Sequence, residues 1–225
     1  MVRNPSIVYM LAQGSFWTSL LNGLGVTLIV SAISIVAAFI LGVIFGVMRY
    51  SKVPVISQIA AVYVEFLRNI PLLLLMFAFF LIGQMQNLTA AIVAMSIFTG
   101  AVVAEVVRGG LNSIPKGQWE AARSQGMSYI QILRHIVLPQ AITKMIPPMV
   151  SQFVTAIKDS AFAFQLGVVE LTNRGKIIQS QSTAVGQVLM TYAIVAAIYF
   201  IVNFILSILA RRLQKKLSAG GGTIG

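Results

Sequence analysis

Between Arg3 and Arg49 the chain carries no charged residue. Within that stretch, residues 20–48 are apolar enough to cross a bilayer, which takes ~20 helical residues. Arg49 and Lys52 close it, and the pattern then recurs. Residues 55–83 make a second span, interrupted by Glu65, Arg68 and Pro71. Residues 90–107 make a third with Glu105 near its end, 145–167 a fourth containing Lys158 and Asp159, and 187–210 a fifth. A soluble domain carries roughly 25% charged residues; here 9% are charged, 58% are hydrophobic and the mean hydropathy is +0.90. The expected fold class is an all-α membrane protein of five transmembrane helices. The chain does not open like a cleaved signal peptide, so the first span is read as permanent.

Five spans put the termini on opposite sides, and the basic residues choose which side faces the cytoplasm. Of the 16 Lys and Arg residues, Arg68 and Lys158 lie inside spans. Arg3, Arg174 and Lys176 fall on one side and the remaining eleven on the other. That places the N-terminus outside, the C-terminus inside, and the polar segment 108–144 in the cytoplasm. Residues 1–19 are then an extracytoplasmic segment, whose Phe16 and Trp17 suit either an interfacial belt or the ragged start of the first span. Residues 217–225 read as a Gly-rich disordered tail. The net charge of +11 does not point to nucleic acid, because the basic residues are scattered between spans rather than gathered on one soluble face. There is no cysteine and one histidine, His135, which leaves no thiol chemistry and no multi-histidine metal site.

The segment 108–144 reads as two short helices. Pro115 favours a first helical turn, and Glu120, Ala121 and Ala122 are strong helix formers. Glu120 and Arg123 stand three apart, close enough to pair. Gly126 is a left-handed stop. Ser128 and Gln131 fit a capping box that opens a second helix through Ile136, and Pro139, Pro147 and Pro148 are expected to break the chain before the fourth span. Met127, Tyr129, Ile130, Ile132 and Leu133 supply apolar side chains, some for the ends of the spans and some for a partner's groove.

Glu120-Ala121-Ala122, Gly126 and Leu138-Pro139 resemble the cytoplasmic docking loop of ABC importer permeases. Four further elements, in order, resemble those of the polar amino acid branch: Phe66-Leu67-Arg68-Asn69-Ile70-Pro71-Leu72-Leu73, Glu105-Val106-Val107-Arg108-Gly109-Gly110, Ile157-Lys158-Asp159-Ser160, and Val168-Val169-Glu170-Leu171-Thr172. The chain therefore resembles the inner-membrane component of a binding-protein-dependent amino acid importer over about 20–216. That resemblance implies the type I (MetI-like) permease fold in a bacterial cell membrane. It makes Glu120, Ala121, Ala122, Gly126, Met127, Ile130, Leu138 and Pro139 the ATPase-coupling residues. Asn69-Ile70 stands where Gly-Thr is usual, and Ala161-Phe162-Ala163-Phe164 where Ser/Thr-Leu is more common, both where substrate or gate contacts are expected.

An ionisable group inside a bilayer is a functional hypothesis by default. Lys158 and Asp159 point about 100° apart on a helix, so they do not satisfy one another face to face. They offer both signs to a zwitterionic amino acid, or they make interhelical salt bridges. The candidate substrate path is Lys158, Asp159, Ser160, Phe162, Arg68 and Asn69. Glu65 and Arg68, three apart, read as a structural pair or as path-lining at the Pro71 break. Glu105 and Arg108 read as structural.

The chain lacks the phosphate-binding signature G-x-x-x-x-G-K-[ST], so no catalytic residue is assigned and ATP with Mg²⁺ belongs to partners. The resemblance implies an ATPase dimer, a second permease subunit (identical or homologous), an extracytoplasmic amino acid-binding protein, surrounding lipid and no nucleic acid. An autonomous channel or ion-coupled secondary transporter is the alternative; it would account for the buried charges but leave the two-helix loop without a purpose. An intramembrane enzyme lacks the residues for its chemistry. Which amino acid is carried stays open at this stage.

Overall fold

The computed structural model describes residues 7–51, 53–181 and 184–220, with side chains to 212. Arg3, Lys52, the side chains of Lys215 and Lys216 and the last five residues of the expected tail lie outside the described residues. Every regular element described is helical: α1 (Ile7–Ala12), α2 (Gly14–Tyr50), α3 (Pro54–Arg68), α4 (Leu72–Phe77), α5 (Asn87–Asn112), α6 (Lys116–Ser124), α7 (Tyr129–Ile132), α8 (Leu138–Asp159), α9 (Leu171–Ser180) and α10 (Val185–Gly220). A π-turn over Ala78–Ile82 prolongs α4, another over Leu133–Val137 joins α7 to α8, and a 3₁₀ helix over Ser160–Leu166 follows α8.

Among the described residues, three helices are long and apolar enough to cross a membrane: Gly14–Tyr50, Asn87–Asn112 and Val185–Arg212; the broken pair Pro54–Arg68 and Leu72–Ile82 makes a fourth if counted as one span. The break at 69–71 follows from Pro71, which disfavours helix at the residue before it. Asn69 caps α3, and its side-chain amide donates to the Glu65 carbonyl at 2.6 Å. The expected fourth span, 145–167, is not among these helices. Its α-helical part ends at Asp159 and carries Gln152, Lys158 and Asp159 as well as Pro147 and Pro148.

Two expectations about this region need correction. Pro139, Pro147 and Pro148 do not break the chain: α8 runs unbroken from Leu138, with Pro147 and Pro148 inside it. Proline is tolerated in such helices because neighbouring groups and local adjustments satisfy the freed carbonyls. The second short helix also does not stop near Ile136; through the π-turn, where Leu138 N–H reaches the Leu133 carbonyl, it becomes α8. At the other end of the segment, α5 continues to Asn112, and α10 continues to Gly220, into the tail expected to be disordered.

The chain divides into two compact units, 1–35 with 71–95 and 155–205, and 36–70 with 96–154 and 206–225, the division passing through α2, α5, α8 and α10. In the first unit, Met10, Phe16, Leu20, Leu171 and Val195 form the core. In the second, Gly42 and Gly46 bring α2 against Val103 and Val107 of α5. A Cβ on Gly46 would lie 2.6 Å from Val107 Cβ. Small residues four apart let helix backbones approach closely where lipid removes the hydrophobic drive.

Candidate functional site

The second unit carries a hook built from α6, α7 and the start of α8. Pro115 precedes α6 in extended conformation. At its far end the chain turns through Gly126 at φ +80°, with Gly126 N–H donating to the Arg123 carbonyl at 2.9 Å and Met127 N–H to the Ala122 carbonyl at 3.2 Å. This is a Schellman turn, and the left-handed residue is the one it requires. Ser128 and Gln131 then form the expected capping box: Ser128 N–H donates to Gln131 Oε1 at 2.8 Å and Gln131 N–H to Ser128 Oγ at 3.4 Å.

The hook is fastened to its own unit. Ala122, Ile132 and Val137 are buried among Val103, Val107, Leu111, Ile114, Ala141 and Met145, with Met127, Leu133 and Leu138 packed partly against them. Gln140 Nε2 donates to Gln118 Oε1 at 2.5 Å, and Lys144 Nζ to the Ser113 carbonyl at 3.0 Å. Trp119 stacks on Tyr129 with ring centroids 5.3 Å apart. What stays outward is Glu120, Ala121, Gly126, Ile130 and Pro139. Ile130 is 73% exposed. Thus Ala122, Met127 and Leu138 hold the hook from inside while Glu120, Ala121 and Ile130 form its open face. Glu120 and Arg123 make no ion pair with each other among the described residues. Both line a cleft of about 460 Å³ with Arg49, Tyr50, Lys116 and Trp119.

Beside the hook, in the same unit, charges from α2, α3 and α5 meet at Glu105. Arg108 donates to it at 2.9 Å, Arg49 Nη1 bonds its Oε1, and Arg68 stands 3.7 Å from its Oε2. Glu65 pairs with Arg49 at 3.3 Å. The Glu105–Arg108 pair expected from spacing forms. Glu65 and Arg68 instead turn to partners on other helices. Arg49 was read from sequence only as a marker of orientation; nothing local distinguishes an anchoring arginine from one that ties three helices.

Lys158 and Asp159 end α8. Lys158 is exposed, Asp159 half-buried, and neither makes an ion pair among the described residues. Ser160 is fully buried and donates to the Ile157 carbonyl at 2.7 Å, while Phe162 is exposed. These four belong to the first unit; Arg68 and Asn69 belong to the second.

The first unit also holds a buried acid to which sequence reasoning gave no role. Glu170, 1% exposed, caps α9 by accepting from Thr172 N–H at 2.9 Å and Asn173 N–H at 2.7 Å. It accepts further from Tyr199 OH at 2.8 Å and Thr27 Oγ1 at 3.3 Å. One carboxyl thereby links α2, α9 and α10. Burial raises its pKa above the ordinary carboxyl value, outweighing these donors, which pull the other way.

The family model for binding-protein-dependent transport system inner membrane components matches residues 38–218. The probable glutamine ABC transporter permease protein GlnP of Bacillus subtilis (strain 168) is 47% identical over 198 residues, which is 86% of this chain and 91% of that protein. The glutamate transport system permease protein GluD of Corynebacterium glutamicum is 38% identical over 213 residues, 91% of this chain and 77% of that protein. Among solved structures, the crystal structure of an amino acid ABC transporter with histidines has a TM-score of 0.85 at 28% identity, over 95% of this chain and 100% of that one.

Proposed function

The chain belongs to the family of binding-protein-dependent transport system inner membrane components, and on that premise we propose that it is one membrane half of an ATP-driven importer of polar amino acids, moved through its hook by separate ATPase subunits. The observation that carries the reading is the hook itself: a preassembled element, packed from behind and open in front, continuous with α8. A loop that merely joined two spans would need neither the Schellman turn nor an outward isoleucine.

In this reading the spans are α2, the α3–α4 pair, α5, α8 with its 3₁₀ extension, and α10, with the N-terminus outside and the C-terminus in the cytoplasm. Two permease subunits, identical or homologous, enclose the path. ATP and Mg²⁺ sit on the ATPase dimer, and an extracytoplasmic binding protein delivers the amino acid. Closure of the ATPases draws the hooks together. Because Ala122, Ile132 and Val137 are locked into their unit, each hook moves as a lever and carries α5 and α8 with it. The spans rock from inward-open to outward-open, accept substrate, and return after hydrolysis. A complete switch, from 1:99 to 99:1, requires about 5.5 kcal/mol of differential binding, which the nucleotide cycle supplies. Lys158 and Asp159, without ion pairs among the described residues, present a cation and an anion to the zwitterion.

Glutamine is the first substrate to test, since a permease named for it is 47% identical. The chain is reconstituted in vesicles with its co-expressed ATPase and binding protein, and labelled glutamine uptake is followed. ATP-dependent uptake that vanishes when the ATPase is omitted is the expected result. Equal uptake with the permease alone would instead establish the autonomous carrier.

A further inference from the structure

We propose that a second cleft, around Arg174, seats the α-carboxylate of a free amino acid. The cleft lies wholly within the first unit, has a volume of about 400 Å³, and takes Gln13, Ser15, Ser19, Arg174, Gln181 and Gln187 among its lining residues. Pockets for small ligands run from about 300 Å³ upward. Among the described residues no Asp or Glu lines it, and Arg174 supplies the charge found there.

Among the described residues that charge has no counter-ion. Arg174 enters no ion pair among the described residues, and its Nε is sealed from solvent with no acceptor. The acid best placed in sequence to serve it is Glu170, four residues earlier at the N-terminal cap of the same helix. Glu170 is already engaged by Thr27, Thr172, Asn173 and Tyr199. The Arg174 stem is fixed against the bare face of α2 at Gly23, where a Cβ would come within 2.6 Å of Arg174 Cγ. A guanidinium held in place, without an ion pair among the described residues and set among amides and hydroxyls, matches a planar carboxylate, which its terminal nitrogens meet because Nε is closed off. One cation among the described lining residues suits a monoanion better than a phosphate dianion.

The identity of the carboxylate's owner rests on the importer reading; the seat does not, and its test needs no ATPase and no transport. The purified full chain in lipid nanodiscs is treated with phenylglyoxal, and modification of Arg174 is followed by peptide mass mapping with exposed Arg211 as the internal reference. L-glutamine is the probe, and L-glutaminamide, which lacks the α-carboxylate, is the control. At glutamine ten times its dissociation constant, Arg174 modification slows about tenfold by mass action, Arg211 is unchanged, and the amide has no effect. No slowing up to millimolar glutamine, or equal slowing by the amide, overturns the proposal. Transport that proceeds normally with Arg174 unprotected would remove this seat and leave the importer reading standing.

Discussion

Replacing Glu105 by Gln tests the charge knot at its centre. The carboxylate is shared by Arg49, Arg68 and Arg108, and the side chains of Glu105 and Arg49 are only 18% and 15% exposed. Removing one partner of a mostly buried pair strands the other charge, at a cost of about 3 kcal/mol. The Arg108 and Arg68 contacts are 36% and 46% exposed on the arginine side, and each adds about 0.5 kcal/mol. The total is about 4 kcal/mol, or roughly 8–16 °C in thermal midpoint for a chain of this size. Glu65, 66% exposed, is the matched control: Glu65→Gln costs about 1 kcal/mol or less. Combining Glu105→Gln with Arg49→Met recovers most of the loss, because the stranded charge goes with it. Thermal unfolding of the nanodisc-embedded chain, read by tryptophan fluorescence, gives all four midpoints. Equal shifts for Glu105→Gln and Glu65→Gln, or no recovery in the double variant, would refute the reasoning.

Gly126→Val forces a β-branched residue to φ +80° at about 1–2 kcal/mol; ATP hydrolysis should persist while coupled uptake falls, and unchanged uptake counts against the lever. Gly46→Leu drives a side chain into Val107 and should lower the thermal midpoint by several degrees, whereas Gly109→Leu, which meets open space, should not. Glu170 binds its proton more tightly folded than unfolded. Its contribution to stability is therefore fullest below the ordinary carboxyl value, falls as pH rises through the raised folded value, and then levels off. Glu170→Gln should abolish that component of the stability–pH slope; a slope identical to the parent's means that Glu170 does not carry it.

The hook was legible because its signals are local. Gly126, and Ser128 with Gln131 three residues on, act through backbone groups within one turn, and the structure places each where its chemistry demands. The broken second span was legible for the same reason, through Pro71. What could not be read were links between distant positions: Arg49 with Glu105, 56 residues apart, and Thr27 with Glu170, 143 apart. Spacing suggested Glu65–Arg68, but helix packing offered each a better partner. Proline chemistry alone predicted a break before the fourth span, and the surroundings of Pro147 and Pro148 overrode it. The short second helix hid its continuation because a π-turn leaves no residue signature that separates it from a helix end.

The central claim is that a separate ATPase grips the outward face of the hook. The chain contains no cysteine, so single cysteines introduced by Ala121→Cys, Ile130→Cys and, on the other unit, Val185→Cys can each carry a photoreactive maleimide without ambiguity. With the ATPase subunits co-reconstituted, illumination should join the ATPase to positions 121 and 130, not to 185, and stop glutamine uptake as the adduct forms. Failure of both hook positions to capture the ATPase while ATP-driven uptake continues would contradict the account.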